Sequence, residues 1–303
     1  MNTLLLPRSR GRHARHVSTS LRVLTANTHL GQGPNLPYLL RSSPEADRAR
    51  IELLHDTRAY AFHIADWLRR NHDVYHAVGL QEVFHHALGL NTGARRFRQR
   101  DYYSRLAGYG CTVPHRVGFA AFRYENVLLS RLPQAASPRI QSILPGRVFR
   151  LAACGFTLAP FGIFGRVVWI GNTHLHPYNP RTRARQAESI VAVIRRLGDV
   201  PILFLGDLNT VPPGCKDGDF PEGERDVRSY RGDRTLSIFE DGGLRTVRHE
   251  DRAEFWTYPT GAPNRTLDYV LFSRHFDVES YRVVREFTFS DHYPVEAEFR
   301  LRA

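Results

Sequence analysis

Short apolar runs, each closed by a polar signature, punctuate this sequence. Asn27, Gln81-Glu82, Thr173-His174, Gly206-Asp207-Leu208-Asn209, Asp268 and Ser290-Asp291-His292 all stand at the ends of such runs. An apolar run of strand length leaves the core at its end, so a polar cluster there faces a rim rather than the interior. Several such ends in one domain can converge on a single pocket.

The order of the runs predicts the fold class. Residues 21–27 read as a short strand, and residues 31–37 as a loop. Ser43-Pro44-Glu45 has the form of a helix start, and Ile51, Leu54, Ala61, Ile64, Ala65 and Leu68 continue at helical spacing toward Asn71. A strand over 73–80 then delivers Gln81 and Glu82. Later, a strand over 166–173 precedes Asn179-Pro180, a cap and first helical position. Ala184, Ala187, Ile190, Val191, Ile194 and Leu197 follow as the apolar face, and Gly198 stops the helix. Residues 201–205 are continuously apolar, as in a strand buried on both faces, and run straight into Gly206-Asp207. Strands over 266–273 and 294–301 close the chain. The alternation predicts an α/β fold, mixed sheets with helices outside. Residues 211–235 are too rich in Pro, Gly and charge, and too long, for an ordinary connection, which leaves a substrate-facing loop or a disordered insertion.

Composition adds limits. A chain of 303 residues, 42% hydrophobic, can bury a large core, and no compositional break divides it. One domain over 21–303 is expected, after a basic tail over 1–20 that carries Arg8, Arg10, Arg12 and Arg15 and reads as disordered. The net charge of +12 favours anionic partners, although Lys216 is the only lysine and a GC-rich genome explains that bias equally well. Cys111, Cys154 and Cys215 fit neither a disulfide framework nor zinc spacing, and His176 or His85-His86 add no zinc pattern. Without a secretory signal or a spanning apolar run, a cytoplasmic monomer is the expectation.

The polar signatures suit the hydrolysis of a phosphate ester, which requires charge neutralisation on the phosphoryl oxygens and an oriented water. Asn27, Glu82 and Asp291 offer oxygens of the kind that Mg²⁺ or Mn²⁺ prefers. Asp207 and Asn209, two apart at a strand end, project the same way if strand geometry persists, one toward a water and the other toward phosphate or water. Asp268 can fix the tautomer of His292, and His174 can donate to a non-bridging oxygen.

These residues stand in longer motifs. Leu24-Thr25-Ala26-Asn27, Gly79-Leu80-Gln81-Glu82, Asn126-Val127-Leu128-Leu129-Ser130-Arg131 and Asn172-Thr173-His174-Leu175 come first. Gly206-Asp207-Leu208-Asn209, Leu267-Asp268-Tyr269-Val270 and Ser290-Asp291-His292-Tyr293-Pro294-Val295 follow. In this order they resemble the motifs of the endonuclease/exonuclease/phosphatase (DNase I-like) superfamily over residues 21–301. The resemblance implies a four-layered α/β sandwich, two mixed β-sheets face to face with helices outside, and metal-dependent hydrolysis of a phosphate ester. It implies Glu82 as principal metal ligand with Asn27 and Asp291 nearby, and Asp207 at the nucleophilic water. Asn209 would hold phosphate, and His174 and His292 would stabilise the transition state with Asp268 paired to His292. Many members carry a second oxygen ligand where this chain has His29, so a second metal is not implied. Asn126, Tyr124 and Arg265 are candidate substrate contacts.

Substrate class stays open at this level. Arg95, Arg96, Arg98, Arg100 and Arg105 interleave with Phe97, Tyr102 and Tyr103, as on a nucleic-acid track or on an ordinary solvated face. Arg181, Arg183 and Arg185 lie at a helix start, where the dipole disfavours cations, which hints at an external anion. Residues 159–165 read as a hairpin tip whose Phe161, Ile163 and Phe164 would, if exposed, dip into a lipid surface, or as a loop folded onto the core, which would favour a nucleic-acid or soluble substrate. The first reading is a nuclease with nucleic acid as its partner; the alternatives are a phospholipid or sphingomyelin phosphodiesterase or phosphatase, and a non-catalytic phosphate- or protein-binding module.

Overall fold

The computed structural model describes residues 20–31, 33, 59–87, 98–119, 122–143, 154–213, 230–247 and 252–302. Residues 1–19 of the expected tail over 1–20, the helix start at Ser43 and most of the 211–235 segment lie outside these residues, and Ser20 already belongs to a strand.

The described residues form eleven strands and four α-helices. In chain order they are β1 (Ser20–Asn27), α1 (Ala59–Arg70), β2 (Ala77–Ala87), α2 (Gln99–Ala107), β3 (Cys111–Phe119), β4 (Phe122–Ser130) and β5 (Arg139–Ile143). Then come β6 (Cys154–Ile163), β7 (Arg166–His174), α3 (Pro180–Arg195), β8 (Ile202–Asp207), α4 (Thr235–Asp241), β9 (Asp268–Phe272), β10 (Phe276–Val283) and β11 (Val295–Leu301). The first sheet has the order β10-β11-β1-β2-β4-β3 and the second β5-β6-β7-β8-β9. Both are mixed: β1 runs parallel to β2 and β7 parallel to β8, and the other neighbours are antiparallel.

Strand alternation explains the layering. Leu21, Val23, Ala77 and Leu128 of the first sheet meet Phe161, Ile170, Leu203 and Leu205 of the second in one buried cluster. Residues of opposite parity, such as Leu24, Val78 and Val127, turn outward. There they meet Ala61, Ile64, Ala65 and Leu68 of α1, one helical face at i, i+3, i+4, i+7 spacing. Ala187, Ile190, Val191 and Ile194 of α3 cover Ile202 and Phe204 in the same way. The result is helix, sheet, sheet, helix, the expected four-layered sandwich.

Strand β8 is buried at every residue, as its unbroken apolar run requires. Helix α3 begins as expected, with the Asn179 side chain accepting from the Thr182 N–H at 3.0 Å and Pro180 in the first turn. Gly198 follows its end with φ +77°. By contrast, β2 does not stop before Gln81-Glu82. It continues through them to Ala87, with its register against β4 shifting between Leu80 and Val83. Glu82 sits at this bulge with φ 53°.

The expected hairpin tip is shorter than residues 159–165. Only Phe164 and Gly165 form the turn between β6 and β7. Phe161 and Ile163 point between the sheets at 0% and 3% exposure, so neither can enter a membrane, and only Phe164 of the proposed wedge is exposed. The basic segment is also reassigned in part. Residues 88–97, with Arg95, Arg96 and Phe97, lie outside the described residues. Within α2, Tyr103 is fully buried, and Arg100 donates to both oxygens of Glu125 at 3.1 Å each. Arg98 and Arg105 stay on the surface, beside Tyr102 and Leu106, around a cleft of about 350 Å³. No helix among the described residues is long and apolar enough to cross a membrane.

Candidate active site

Sheet register assembles the site. His174, Asp207 and Asp268 stand abreast, because His174 is the partner of Asp207 across β7–β8 and Asp207 the partner of Asp268 across β8–β9. On the first sheet Asn27 is the partner of Gln81 across β1–β2, with Glu82 next in line. Asp291 and His292 arrive on the connection into β11, whose first residue, Val295, pairs with Thr25.

A glycine permits the row. A Cβ on Gly206 would lie 2.5 Å from the Thr173 carbonyl oxygen, so only glycine lets β8 approach β7 this closely. The two sheets are also joined by amides. Gln81 Nε2 donates to Asn172 Oδ1 at 2.7 Å, and Asn172 Nδ2 donates to the carbonyls of Leu80 and Val127 at 3.0 and 3.1 Å.

Asp207 is the hub. Its Oδ2 accepts from Asn27 Nδ2 at 3.0 Å and lies 3.4 Å from His174 Nε2 and 3.8 Å from His292 Nε2. Its Oδ1 accepts the Asn209 N–H at 2.9 Å. Glu82 Oε1 is 3.3 Å from Asn27 Nδ2 and 3.8 Å from His174 Nδ1, so His174 lies between two carboxylates. His292 Nδ1 donates to Asp268 Oδ2 at 2.8 Å. Burial works against a charged His292, but Asp268, Asp207 and Asp291 outweigh it and hold the imidazole up at about 10. Burial, reinforced by Asp207, pushes the Asp268 carboxyl up as well, so the pair retains its proton.

The sequence expectation for Asn209 needs correction in one respect. Strand geometry ends at Asp207, and Asn209 has φ 49°, so the two side chains do not project in parallel. Asn209 Nδ2 instead donates to the Leu175 carbonyl at 3.1 Å, tying the end of β8 to the residue after His174. Asp291 joins the group through His29, whose Nδ1 is 3.5 Å from Asp291 Oδ1 and whose N–H donates to Asn27 Oδ1 at 2.9 Å.

The candidate substrate residues separate. Tyr124 lies against His174, ring centroids 6.4 Å apart. Asn126 is fully buried in β4, and neither atom of its amide has a hydrogen-bond partner among the described residues. Arg265 does not reach the rim. It is fully buried, donates to Asn264 Oδ1 at 2.7 Å, and packs 5.4 Å from the Tyr258 ring. That ring in turn lies 4.7 Å from the His292 imidazole, so Arg265 is one side chain removed from the site.

Two supporting residues were not legible in the sequence. Tyr258 flanks His292, and Thr257 Oγ1 accepts the N–H groups of Leu267 and Asp268 at 3.0 and 3.3 Å. Both belong to a segment that pairs with Arg265 only after folding, and no local motif marks it.

Among the described residues, Glu82, Asp207, Asp268 and Asp291 ion-pair with imidazoles and none of them with an arginine. Buried carboxylates so short of positive charge are costly, and oxygen donors suit a hard divalent cation, so this set fits a metal ion. Asp207, Asp268 and His292 also form a group, with one donor atom each within 4.8 Å of one another. It differs from the expected ligands Asn27, Glu82 and Asp291. The His292–Asp268 hydrogen bond accounts for much of its closeness, and the all-oxygen set matches a hard cation better.

Two face-to-face mixed sheets flanked by helices, with carboxylates and imidazoles gathered at strand ends, define a DNase I-like α/β sandwich. The model of the endonuclease/exonuclease/phosphatase family matches residues 24–292, nearly the whole chain. The chain belongs to this family, whose superfamily comprises phosphoester hydrolases. An endonuclease/exonuclease/phosphatase structure from Beutenbergia cavernae is similar at 20% identity and TM-score 0.66, over 94% of this chain and 72% of that one. One from Bacteroides vulgatus has 15% identity and TM-score 0.63, over 93% and 99%. ANGEL2, a 2′,3′-cyclic phosphatase solved with adenosine-2′,3′-vanadate, has 17% identity and TM-score 0.60, over 94% and 96%. At these identities the likeness is one of fold. No curated protein matches the sequence.

Proposed function

We propose that this chain is a divalent-cation-dependent phosphodiester hydrolase acting on nucleic acid. The observation that carries the reading is the convergence on one oxygen of Asp207, faced by Asn27, His174 and His292 at 3.0, 3.4 and 3.8 Å. Asp207 orients or deprotonates the attacking water. His292, kept charged by Asp268, and His174 donate to the phosphoryl oxygens as negative charge gathers there. Asn209 holds phosphate or fixes the turn that carries Asp207. Asn27, Glu82 and Asp291 would hold Mg²⁺ or Mn²⁺, which supplies charge neutralisation at the phosphoryl group. Tyr124, whose ring lies against His174, is the substrate contact of the three candidates, since Asn126 and Arg265 are both fully buried.

Nucleic acid is favoured by the net charge of +12 and by the loss of Phe161 and Ile163 to the core, which weakens the lipid alternative. One observation still supports a lipid surface: Phe164 and Val167 are 41% and 46% exposed together at the hairpin tip. The deciding experiment measures hydrolysis of single- and double-stranded DNA, RNA and sphingomyelin liposomes with Mg²⁺ or Mn²⁺, with Asp207→Asn as the blank. Nucleic-acid cleavage absent from the blank is expected. Cleavage of liposomes alone would replace the reading with a lipid phosphodiesterase, and full activity in chelator would remove the cation from it.

A further inference from the structure

The loop that follows His174 is tied down far more firmly than its surface position requires. Leu175 donates its N–H to the Asp207 carbonyl at 3.0 Å, and its own carbonyl accepts from Asn209 Nδ2 at 3.1 Å. The His176 N–H donates to Gln186 Oε1 at 2.9 Å. The carbonyls of His176 and Pro177 both accept from Arg183 Nη1, at 3.2 and 3.3 Å. His176 Nδ1 accepts the N–H groups of Tyr178 and Asn179, each at 3.2 Å.

Arg183 is the most telling of these anchors. Its guanidinium is fully buried and neutralised by Asp233 at 2.6–2.7 Å. The anion implied by a cation at this helix start is therefore internal, not an external ligand. A buried ion pair contributes little net stability and is retained where it fixes geometry. Here it fixes a short loop whose tip is a large aromatic residue, Tyr178, 53% exposed and lying edge-on to the His176 ring at 5.9 Å.

Pre-organising an aromatic side chain at the surface lowers the entropy cost of stacking something on it. Tyr178 is four residues beyond His174, so the two backbones are at most about 14 Å apart. Arg181, three residues further on in the first turn of α3, is exposed and among the described residues pairs with no carboxylate.

We infer that Tyr178 is a specificity-determining residue, a platform on which a base flanking the scissile phosphate stacks. The inference rests on the nucleic-acid reading of the same site and names a contact within it. Every base has a π-face, so the platform selects for a nucleic acid over a bare phosphate ester without selecting a sequence.

The test uses single-stranded DNA oligonucleotides in which one abasic residue is stepped through the positions around the cleaved bond. Cleavage kinetics are measured for the wild-type chain, Tyr178→Ser and Tyr178→Trp. Stacking predicts that Tyr178→Ser raises KM on the intact strand by about tenfold with kcat unchanged, and that Tyr178→Trp restores it. One abasic position should weaken the wild type and leave Tyr178→Ser indifferent. An unchanged KM in Tyr178→Ser, or a loss of kcat alike at every abasic position, overturns the stacking role and leaves the nuclease reading standing. Failure of the wild type to cleave single-stranded DNA, double-stranded DNA and RNA alike overturns the nuclease reading, and a base as the occupant of Tyr178 with it.

Discussion

Glu82 and Asn209 share a backbone conformation that their side chains disfavour, with φ 53° and 49°. Outside glycine such conformations cost of order 1–3 kcal/mol and persist where function holds them. Asn tolerates the region and Glu does not, so the strain is greater at Glu82. Glu82→Gly should therefore raise stability by about 1 kcal/mol in a denaturant titration while hydrolysis falls by orders of magnitude. Glu82→Gln, which keeps the strain, should lose activity without gaining stability. His292 gives a prediction in pH. Its folded value of about 10 lies above the usual 6.5, so its charged form stabilises the fold fully below pH 6.5, and that contribution fades as pH rises toward 10. In chelator, the stability difference between wild type and His292→Gln should shrink over that window. A difference that stays constant with pH would mean that His292 is not held charged. At this scale the motifs made the candidate residues legible in the sequence, but not their surroundings. The bulge at Glu82 depends on pairing with β4, the Arg183 partner lies fifty residues away at Asp233, and the burial of Arg265 depends on Tyr258.

Elements were legible where one local pattern decides them. The apolar run of β8, the capped start of α3 and its amphipathic face all stand where the sequence puts them. The hairpin tip was misread because its apolar residues carry strand alternation: Phe161 and Ile163 share the inward parity, and Phe164 falls in the turn. Phe161→Ser is therefore a core substitution, expected to cost about 3–5 kcal/mol, whereas Phe164→Ser should leave stability within about 0.5 kcal/mol of wild type. Only the latter is a fair probe of lipid binding. The contact of β7 with β8 makes a further prediction. Gly206→Ala must push the strands apart at Thr173, since its Cβ would sit 2.5 Å from that carbonyl. It should reduce activity beyond what its loss of stability explains, because His174 and Asp207 are register partners one position on. An alanine variant with full kcat would show that the row tolerates a shift.

The alternation of strands and helices was enough to predict mixed sheets with helices outside, and the motif order added the four layers. What no local pattern reveals is that Asn27 and Glu82 come from one sheet and His174, Asp207 and Asp268 from the other. That division is a property of the assembled sandwich, in which Gln81 and Asn172 join the two halves just beneath the site. It also means that a phosphate held by both groups is a bridge across the seam between the sheets, while a divalent cation on Asn27, Glu82 and Asp291 would sit on the first-sheet side of it. A ligand that binds only the folded chain stabilises it by mass action, about 2.7 kcal/mol at a hundred times its dissociation constant. The melting temperature should then rise with Mg²⁺ or Mn²⁺, return with chelator, and respond less in Glu82→Gln. Because the seam and the site coincide, heat tolerance becomes a gauge of occupancy, and candidate substrates can be ranked in chelator-free buffer on the Asp207→Asn chain before any bond is cut.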